Sequence, residues 1–499
     1  MGSPVFMPGP VPTSCCTNKA LSRLYTVSPL GLGDPGVIAP NNGADFGPDS
    51  LLNNVGPGLT VTGGLQEALL AIASGGTVVD IGGGTYKISA SIHGTGDDQE
   101  LVLSGSSTLS IQSGGSWTVL GSVLVPFSDG GTNNWSRVHW HGNGVTVAGN
   151  AVHGPFAVFN LGNVAFATAS PNRMSSECVF EGFNLQRNVD TGLAMIGANG
   201  PGFIPTFDQT IRQVLVREVM ITYDESATGS PSGPAGIYVG GSAREVQFED
   251  CFVDQTAATG MTDADAYFVR SQYGNVARIR FIRCAAKTQG GNRCFELQGS
   301  TNGPSPPTLA CITEYLTFED CDFIGGTWNL IDDDLGAGIY SYVNNIEFKR
   351  CLFSGQSPNA VLCETGTANP GIVFGNPPNV QSIGYPLGYV RFIDCDLDGL
   401  AWSSFLSGSM TNRTPGQSIP ISFLFTASPA TYTNGQSPTS QGGDIEVCDQ
   451  LITVAGGFSV GVQNDGQPSG GPGAYLVRAG HSLTLTWVSI QPVVNLIPL

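Results

Sequence analysis

A short pattern that recurs through the middle of the chain limits its fold more than any other feature. It reads apolar, any residue, Phe, two further residues, Cys, any residue, apolar. Copies lie 30 to 44 residues apart, and variable spacing around a constant core indicates loops of different length inserted into a regular coil. Five clear copies are centred on Phe248, Phe281, Phe318, Phe348 and Phe392, and two weaker copies are centred on Phe180 and Val216.

Each copy predicts two short strands joined by a bend. Apolar residues alternate up to the residue before Cys, skip two positions and then resume. A further apolar strand follows after a loop, as at 236–239, 266–269 and 294–297. Such a unit cannot bury its own apolar face, whereas stacked units bury it continuously. The sequence therefore predicts an all-β fold, a right-handed parallel β-helix.

Stacking places equivalent positions of successive units in columns. The Cys column favours an inward ladder of small apolar thiols over a disulfide or metal stack. The residue before Cys alternates in sign, which predicts an ion-pair ladder on the outside of the coil. The first column contains Phe183, Val219, Cys251, Cys284, Cys321, Cys351 and Cys395, and the second contains Asp250, Arg283, Asp320, Arg350 and Asp394.

The N-terminal region carries a second signature. A Gly-Ala-Asp-Phe segment at 43–46 precedes an amphipathic helix at 64–73, which is followed by Gly-Gly-Thr-Val and Gly-Thr-Tyr within 75–88. This arrangement resembles the opening of pectate-lyase-like β-helix proteins, above all the tailspikes of bacterial viruses. The resemblance covers about residues 40–415 and implies a helix that closes the open end of the coil. The full motif set of the polygalacturonase branch is absent, so the resemblance supports the fold and not its catalytic residues.

Four regions are expected along the chain: an N-terminal arm at 1–60, the parallel β-helix at 61–415, a linker at 416–444 and a small C-terminal antiparallel β domain at 445–499. The linker is rich in Ser, Thr, Pro and Gly, and alternating strands follow at 474–477 and 482–488. In tailspikes the corresponding region commonly trimerises the protein or binds the host. The resemblance thus implies a homotrimer, and a plain cap of the coil is the alternative.

Charge and segment composition exclude several classes of partner. The chain has 20 Lys and Arg against 39 Asp and Glu, a net charge of −19, so a generic polyanion such as nucleic acid is repelled. No apolar run approaches the roughly 18 residues of a membrane span, and residues 1–12 do not have the pattern of a signal peptide. With no CxxC pair, neither a zinc ribbon nor any other metal or cofactor is predicted.

Three carboxylates are the candidate catalytic residues. Glu296 and Asp333 follow the Phe of their units by 15 residues, and Glu364 follows its Phe by 16. Neighbouring coils would hold them about 5 and 10 Å apart, which overlaps the carboxyl separations of glycosidases. The alternative is that they are ordinary surface acids, which point to different faces or pair with arginines such as Arg293.

Two weaker candidates complete the set. His139 and His141 lie two residues apart, which puts them on one face of a strand and permits a metal pair, although no third ligand is spaced nearby. Phe374 and Tyr385 in long insertions are candidates either for stacking on sugar rings or for anchoring their loops.

The resemblance and the residues together predict a tailspike-like attachment protein at the virion surface or outside the cell. Its expected partner is host surface polysaccharide, and the sequence leaves open whether it also cleaves that polymer. A secreted polysaccharide hydrolase or lyase is one alternative. A purely structural shell or filament subunit is the other.

Overall fold

The structure is a computed structural model of the chain. The residues it describes are 23–29, 44–48, 61–130, 133–149, 157–162, 175–187, 193–196, 211–224, 235–240, 243–258, 264–270, 276–289, 292–298, 301–302, 309–310, 312–325, 329–332, 342–354, 361–364, 373–374, 390–396, 410–412, 419–420, 430–433, 450–455, 458–463, 473–477, 482–487 and 493–498.

The first strand of each unit joins a parallel ladder, called sheet 1 here. Its register places Phe248 beside Phe281, Phe281 beside Phe318, and Phe318 beside Phe348, as the repeat predicts. The strands are Arg23–Val27, Gly76–Asp80, Gln99–Val102, the first part of His139–Gly149, the first part of Ser175–Arg187, Ile211–Arg217, Ala243–Glu249, Val276–Ile282, Ile312–Glu319, Tyr342–Lys349, Val373–Phe374, Val390–Ile393 and Met410–Asn412.

A two-residue bend leads from sheet 1 to sheet 2. The first bend residue is left-handed, with φ of 52° at Asp250, 51° at Arg283 and 55° at Asp320, which turns the chain sharply between strands. Sheet 2 is also parallel. It contains Gly84–Ala90, Ser107–Ser116, the second parts of His139–Gly149 and Ser175–Arg187, Met220–Tyr223, Phe252–Asp254, Ala285–Lys287, Asp322–Ile324 and Leu352–Ser354.

The charged bend residues form the predicted ladder. Arg283 Nε lies 2.7 Å from Asp250 Oδ1, and Arg350 Nε lies 2.7 Å from Asp320 Oδ1. These side chains are 40–52% exposed, so each pair adds only a modest amount of stability.

Sheet 3 closes each turn of the coil. All of its pairings are parallel and follow chain order, so each coil lies on the one before. Its strands are Ile92–His93, Ser122–Val125, Ala157–Asn160, Leu193–Ile196, Ala235–Gly240, Asp265–Arg270, Arg293–Gln298, Asn329–Asp332 and Val361–Glu364.

The interior is filled by the repeated aromatic and thiol positions. Phe318 stacks on Phe281 and Phe348 with ring centroids 4.7 and 4.6 Å apart and planes within 8° of parallel. The Cys321 and Cys351 thiols are buried and free, each 3.5 Å from a Phe carbonyl oxygen of the preceding coil. Every cysteine whose side chain is described is a free thiol, which confirms the inward ladder and contradicts a disulfide stack there.

The predicted capping helix is Leu65–Ala71. Its Leu65, Ala68 and Leu69 side chains are buried against the first coils. Gly64 precedes it with φ of 92°, and a Cβ there would lie 2.6 Å from the Gly47 backbone, so this position requires glycine.

The Asp80 carboxylate accounts for the tyrosine of the Gly-Thr-Tyr motif that follows the helix, because Tyr86 donates a hydrogen bond to it. Its side chain is 6% exposed. Its carboxylate accepts hydrogen bonds from Gly82 N, Tyr86 Oη, Ser104 N and Ser107 Oγ at 2.5–3.1 Å. The Asp80 side chain thus links its own coil, through Gly82 and Tyr86, to the next coil, through Ser104 and Ser107.

Strands near the C-terminus are antiparallel, in contrast to the coil. One sheet contains Ile419–Pro420, Val493–Pro498, Gln450–Ala455 and Gly473–Val477, and the other contains Ala430–Thr433, Ser482–Trp487 and Phe458–Gln463. Two of these strands fall within the predicted linker at 416–444, and Arg23–Val27 of sheet 1 falls within the predicted arm at 1–60. A short antiparallel pair, Thr301–Asn302 with Leu309–Ala310, leaves the coil.

The all-β fold is confirmed as a parallel β-helix with an N-terminal capping helix and C-terminal antiparallel strands. The four domain boundaries stay predictions. Within the described residues no helix has the length and apolar character needed to cross a membrane.

Candidate functional site

Acidic, basic and aromatic side chains of sheet 3 lie together on adjacent coils, and the aromatic ones are on its outer face. Tyr267 and Phe295 are buried in the coil. Side chains alternate across a strand, so their neighbours Phe268 and Glu296 belong to the opposite, outer face. The register extends this outer column from Tyr238 through Phe268 to Glu296.

Two carboxyl groups meet at one arginine in this region. Arg293 Nη1 lies 2.8 Å from Glu296 Oε2 and 3.4 Å from Asp265 Oδ1. Because both oxygens contact one nitrogen, they are no more than about 6.2 Å apart. Asp265 and Glu296 are 2% and 3% exposed, which makes this a buried pair of carboxyl groups.

The pKa of one carboxyl group of the pair is raised. Burial raises the pKa of Asp265 well above its usual range, and the negative charge of Glu296 and a hydrogen bond between the two carboxyl groups raise it further. Arg293 opposes this shift without cancelling it. These effects favour the protonated form of Asp265 beside the Glu296 side chain. Such a pair presents an acid and a base side by side.

Two buried amides fix the backbone beneath the acid. Gln255 Nε2 donates to the Asp265 carbonyl oxygen at 3.1 Å, and Asn292 Oδ1 accepts from Ala264 N at 3.2 Å. Both amide side chains are 0% exposed. These hydrogen bonds anchor the start of the strand, although Gln255 Oε1 and Asn292 Nδ2 are buried without a partner among the described residues.

An aromatic surface adjoins the pair. The Tyr238 and Phe268 rings stack with centroids 5.1 Å apart and planes 25° from parallel, and both side chains are partly exposed. The Tyr238 hydroxyl lies close to Gly240: a Cβ atom added to Gly240 would be 2.8 Å from the hydroxyl oxygen. The register places this stack next to Glu296 on the same outer face.

The three sequence-derived carboxylates have different outcomes. Glu296 lies in the site, and it pairs with Arg293 as a buried group, whereas an arginine partner was expected to mark an ordinary surface acid. Asp333 lies outside the described residues. Glu364 ends strand Val361–Glu364, and the register places Asp332 directly beside it. The catalytic roles of Glu296, Asp333 and Glu364 stay predictions.

Asp265 is the residue that the sequence reasoning missed. Asp265 lies 17 residues after Phe248, whereas Glu296 lies 15 residues after Phe281. Counting from the Phe of each unit therefore assigns different positions to two residues that contact the same arginine. Aligning the sheet 3 strands on their own buried aromatics, Tyr267 and Phe295, would have paired Asp265 with Arg293, as the structure does.

The two histidines of sheet 1 have no third metal ligand beside them among the described residues. Trp140 between them is buried, and His141 Nδ1 lies 2.5 Å from Glu181 and Nε2 lies 3.6 Å from Glu100. Hydrogen bonds to these carboxylates raise the pKa of His141 to about 9. Both ring nitrogens are thus engaged with carboxylates. No group of three possible metal ligands occurs in the part of the chain that the structure describes.

The aromatic candidates Phe374 and Tyr385 are not located. Strand Val373–Phe374 is described by its backbone alone, and Tyr385 lies outside the described residues. Their proposed sugar-stacking role stays a prediction. The aromatic pair that the structure does describe is Tyr238 and Phe268.

Comparisons with known proteins give structural matches only. No family model and no curated protein matches the sequence. A variant tailspike protein of E. coli bacteriophage HK620 in complex with a pentasaccharide is 12% identical, with 87% of this chain and 88% of that chain covered and a TM-score of 0.36. A second variant of that tailspike, also with pentasaccharide, is 12% identical, with coverage of 95% and 93% and a TM-score of 0.35.

An enzyme appears among the same matches. Endo-xylogalacturonan hydrolase from Aspergillus tubingensis is 12% identical to this chain, with 78% of this chain and 95% of that chain covered and a TM-score of 0.36. The assignment of the fold rests on the strand register described above.

Proposed function

We propose that this protein binds polysaccharide on the outer face of sheet 3 and that Asp265 and Glu296 cleave it. The observation that carries the proposal is the buried pair of carboxyl groups at Arg293, one of them with a raised pKa, next to an aromatic surface. Glycosidic cleavage needs one protonated and one ionised carboxyl group at fixed separation. Adjacent coils supply that separation here.

The roles follow from the protonation states. Asp265 donates its proton to the leaving glycosidic oxygen. The Glu296 carboxylate attacks the anomeric carbon as the nucleophile, and water then hydrolyses the resulting glycosyl ester. The upper limit of about 6.2 Å between their oxygens is below the roughly 6.5–9.5 Å of inverting pairs. Retaining pairs are about 5–5.5 Å apart, so Asp265 and Glu296 would separate from hydrogen-bond contact when a glycan enters between them, and cleavage with retention of anomeric configuration is the expected outcome.

Access to the pair requires movement. Asp265 and Glu296 are 2% and 3% exposed, whereas Tyr238 and Phe268 are partly exposed. A glycan therefore first contacts the aromatic pair, and the carboxyl groups must become exposed after binding. This order predicts that binding survives when the carboxyl groups are neutralised.

The test is a screen of purified surface polysaccharides for retention and for new reducing ends. The wild-type protein should show both for at least one polymer. Asp265→Asn and Glu296→Gln should keep retention and lose cleavage by about 10²-fold or more. Asp250→Asn, which removes an exposed acid of the bend ladder, is the matched control and should behave as wild type.

Two outcomes would contradict the proposal. Retention of no polymer by the wild-type protein would overturn the polysaccharide-binding role and favour a structural subunit. Undiminished cleavage by Asp265→Asn would remove the catalytic role of the pair.

We also propose a tailspike-like role in host attachment at the virion surface, as a homotrimer. The support is the resemblance in the N-terminal region and the repeats, together with the antiparallel strands that follow the coil. Sedimentation equilibrium should give three times the chain mass. A monomer would contradict the assembly, and absence of the protein from purified virions would contradict the location.

A further inference from the structure

Arg270 extends the outer face of sheet 3 beyond the aromatic pair. It ends strand Asp265–Arg270, two residues after Phe268, and therefore lies on the same face of the strand. The register places it between Gly240 and Gln298 on the neighbouring coils. Because Gly240 has no side chain, the residue paired with Arg270 on that neighbouring coil places no side chain beside the guanidinium.

Arg270 has no carboxylate partner among the residues that the structure describes. Its Nε atom is buried and has no hydrogen-bond partner. In the described part of the chain, its guanidinium makes no ion pair, although most arginines on the coil contact a carboxylate. Those with carboxylate partners are Arg137, Arg212, Arg217, Arg244, Arg278, Arg280, Arg283, Arg293 and Arg350.

An unpaired N–H at this position favours an acceptor from outside. Leaving a buried donor without a partner is unfavourable, more so when the donor is charged. A guanidinium binds a planar carboxylate through two parallel hydrogen bonds, which an alcohol cannot reproduce. Since the chain as a whole carries a charge of −19, an anionic ligand would be held by a local contact of this kind and not by the net field.

We propose that the sheet 3 site takes a glycan that carries carboxylate groups, with Arg270 binding one carboxylate while Tyr238 and Phe268 contact the adjoining sugar rings. This inference rests on the proposed function, since it names the substrate class of the same site. Arg270 is a specificity-determining residue in this scheme, and the reacting groups remain Asp265 and Glu296.

The test compares glucuronate with glucose, which differ at a single position as carboxylate against hydroxymethyl. Binding of each to the full chain is measured by ligand-observed NMR at low salt. Glucuronate should bind at least about 10-fold more tightly, and added salt should reduce that preference. Arg270→Gln should abolish the preference, and Arg270→Lys should restore part of it, because a point charge replaces the fork.

Arg212→Gln is the matched control. It removes an arginine that pairs with Glu245 on sheet 1, away from the site, and should leave the preference for glucuronate unchanged. Thermal melts of both glutamine variants would exclude unfolding as the cause of any loss.

Equal binding of the two sugars, no binding of either, or a preference that survives in folded Arg270→Gln would overturn the inference. These results leave the proposed function standing if a polysaccharide is still retained and cleaved. Conversely, glucuronate binding through Arg270 with no polymer retained or cleaved would contradict the proposed function alone.

Discussion

Replacing His141 by glutamine should remove a large pH-dependent contribution to stability. Its pKa is raised from 6.5 to about 9, chiefly by hydrogen bonds to Glu100 and Glu181. At 1.36 kcal/mol for each pKa unit, this shift corresponds to at most about 3 kcal/mol. A raised pKa means that the contribution is complete below pH 6.5 and is lost as the pH rises through about 9.

The assay is urea unfolding at a series of pH values between 6 and 10. Wild-type stability should fall by up to about 3 kcal/mol over this interval relative to His141→Gln, because only the wild type loses the imidazolium. Glu181→Gln should give a smaller fall than wild type. His93→Gln is the control, since it removes an imidazole that contacts the Gly94 carbonyl oxygen at 2.8 Å and no carboxylate of the described residues. Parallel profiles for wild type and His141→Gln would refute the reasoning.

Three further predictions concern the coil. Phe318→Ala should lower the free energy of unfolding by about 3–5 kcal/mol, because a stacked interior ring is lost. Phe252 points outward and is partly exposed, so Phe252→Ala should lower it by under about 1 kcal/mol. Equal effects in urea melts would contradict the interior stack. Asp80→Ala should cost about 3 kcal/mol or more, because four donors lose their acceptor, and a near-neutral effect would contradict its role as a tie. Thiol reagents should leave the described cysteines unlabelled in the native protein and label them in urea, because these thiols are buried. Burial also raises the pKa of Cys178 to about 12. Labelling of Cys321 in the native protein would contradict the ladder.

The sequence was sufficient to predict the coil because its interior repeats. Each unit places Phe and Cys at fixed positions around a two-residue bend, so the register of Phe248, Phe281 and Phe318 could be predicted without knowing the loops. The charges at Asp250 and Arg283 pair across coils for the same reason.

The site could be predicted only in part, because loops of different length lie between sheets 2 and 3. Those loops shift the count from Phe to the third strand, so Asp265 was missed while Glu296 was found. The protonation of Asp265 depends on burial and on Arg293 and Glu296 from the next coil, which no linear spacing reports. The unpaired state of Arg270 is likewise visible only once the coils are stacked.

The central claim is that Asp265 holds a proton at neutral pH beside an ionised Glu296. Infrared difference spectroscopy of wild type against Asp265→Asn at pH 7 tests it directly, because a protonated carboxyl group has a C=O stretch distinct from that of a carboxylate. The account predicts a protonated-carboxyl band that is present in the wild type and absent in the variant. A difference spectrum that shows only the loss of a carboxylate band at pH 7 would contradict it.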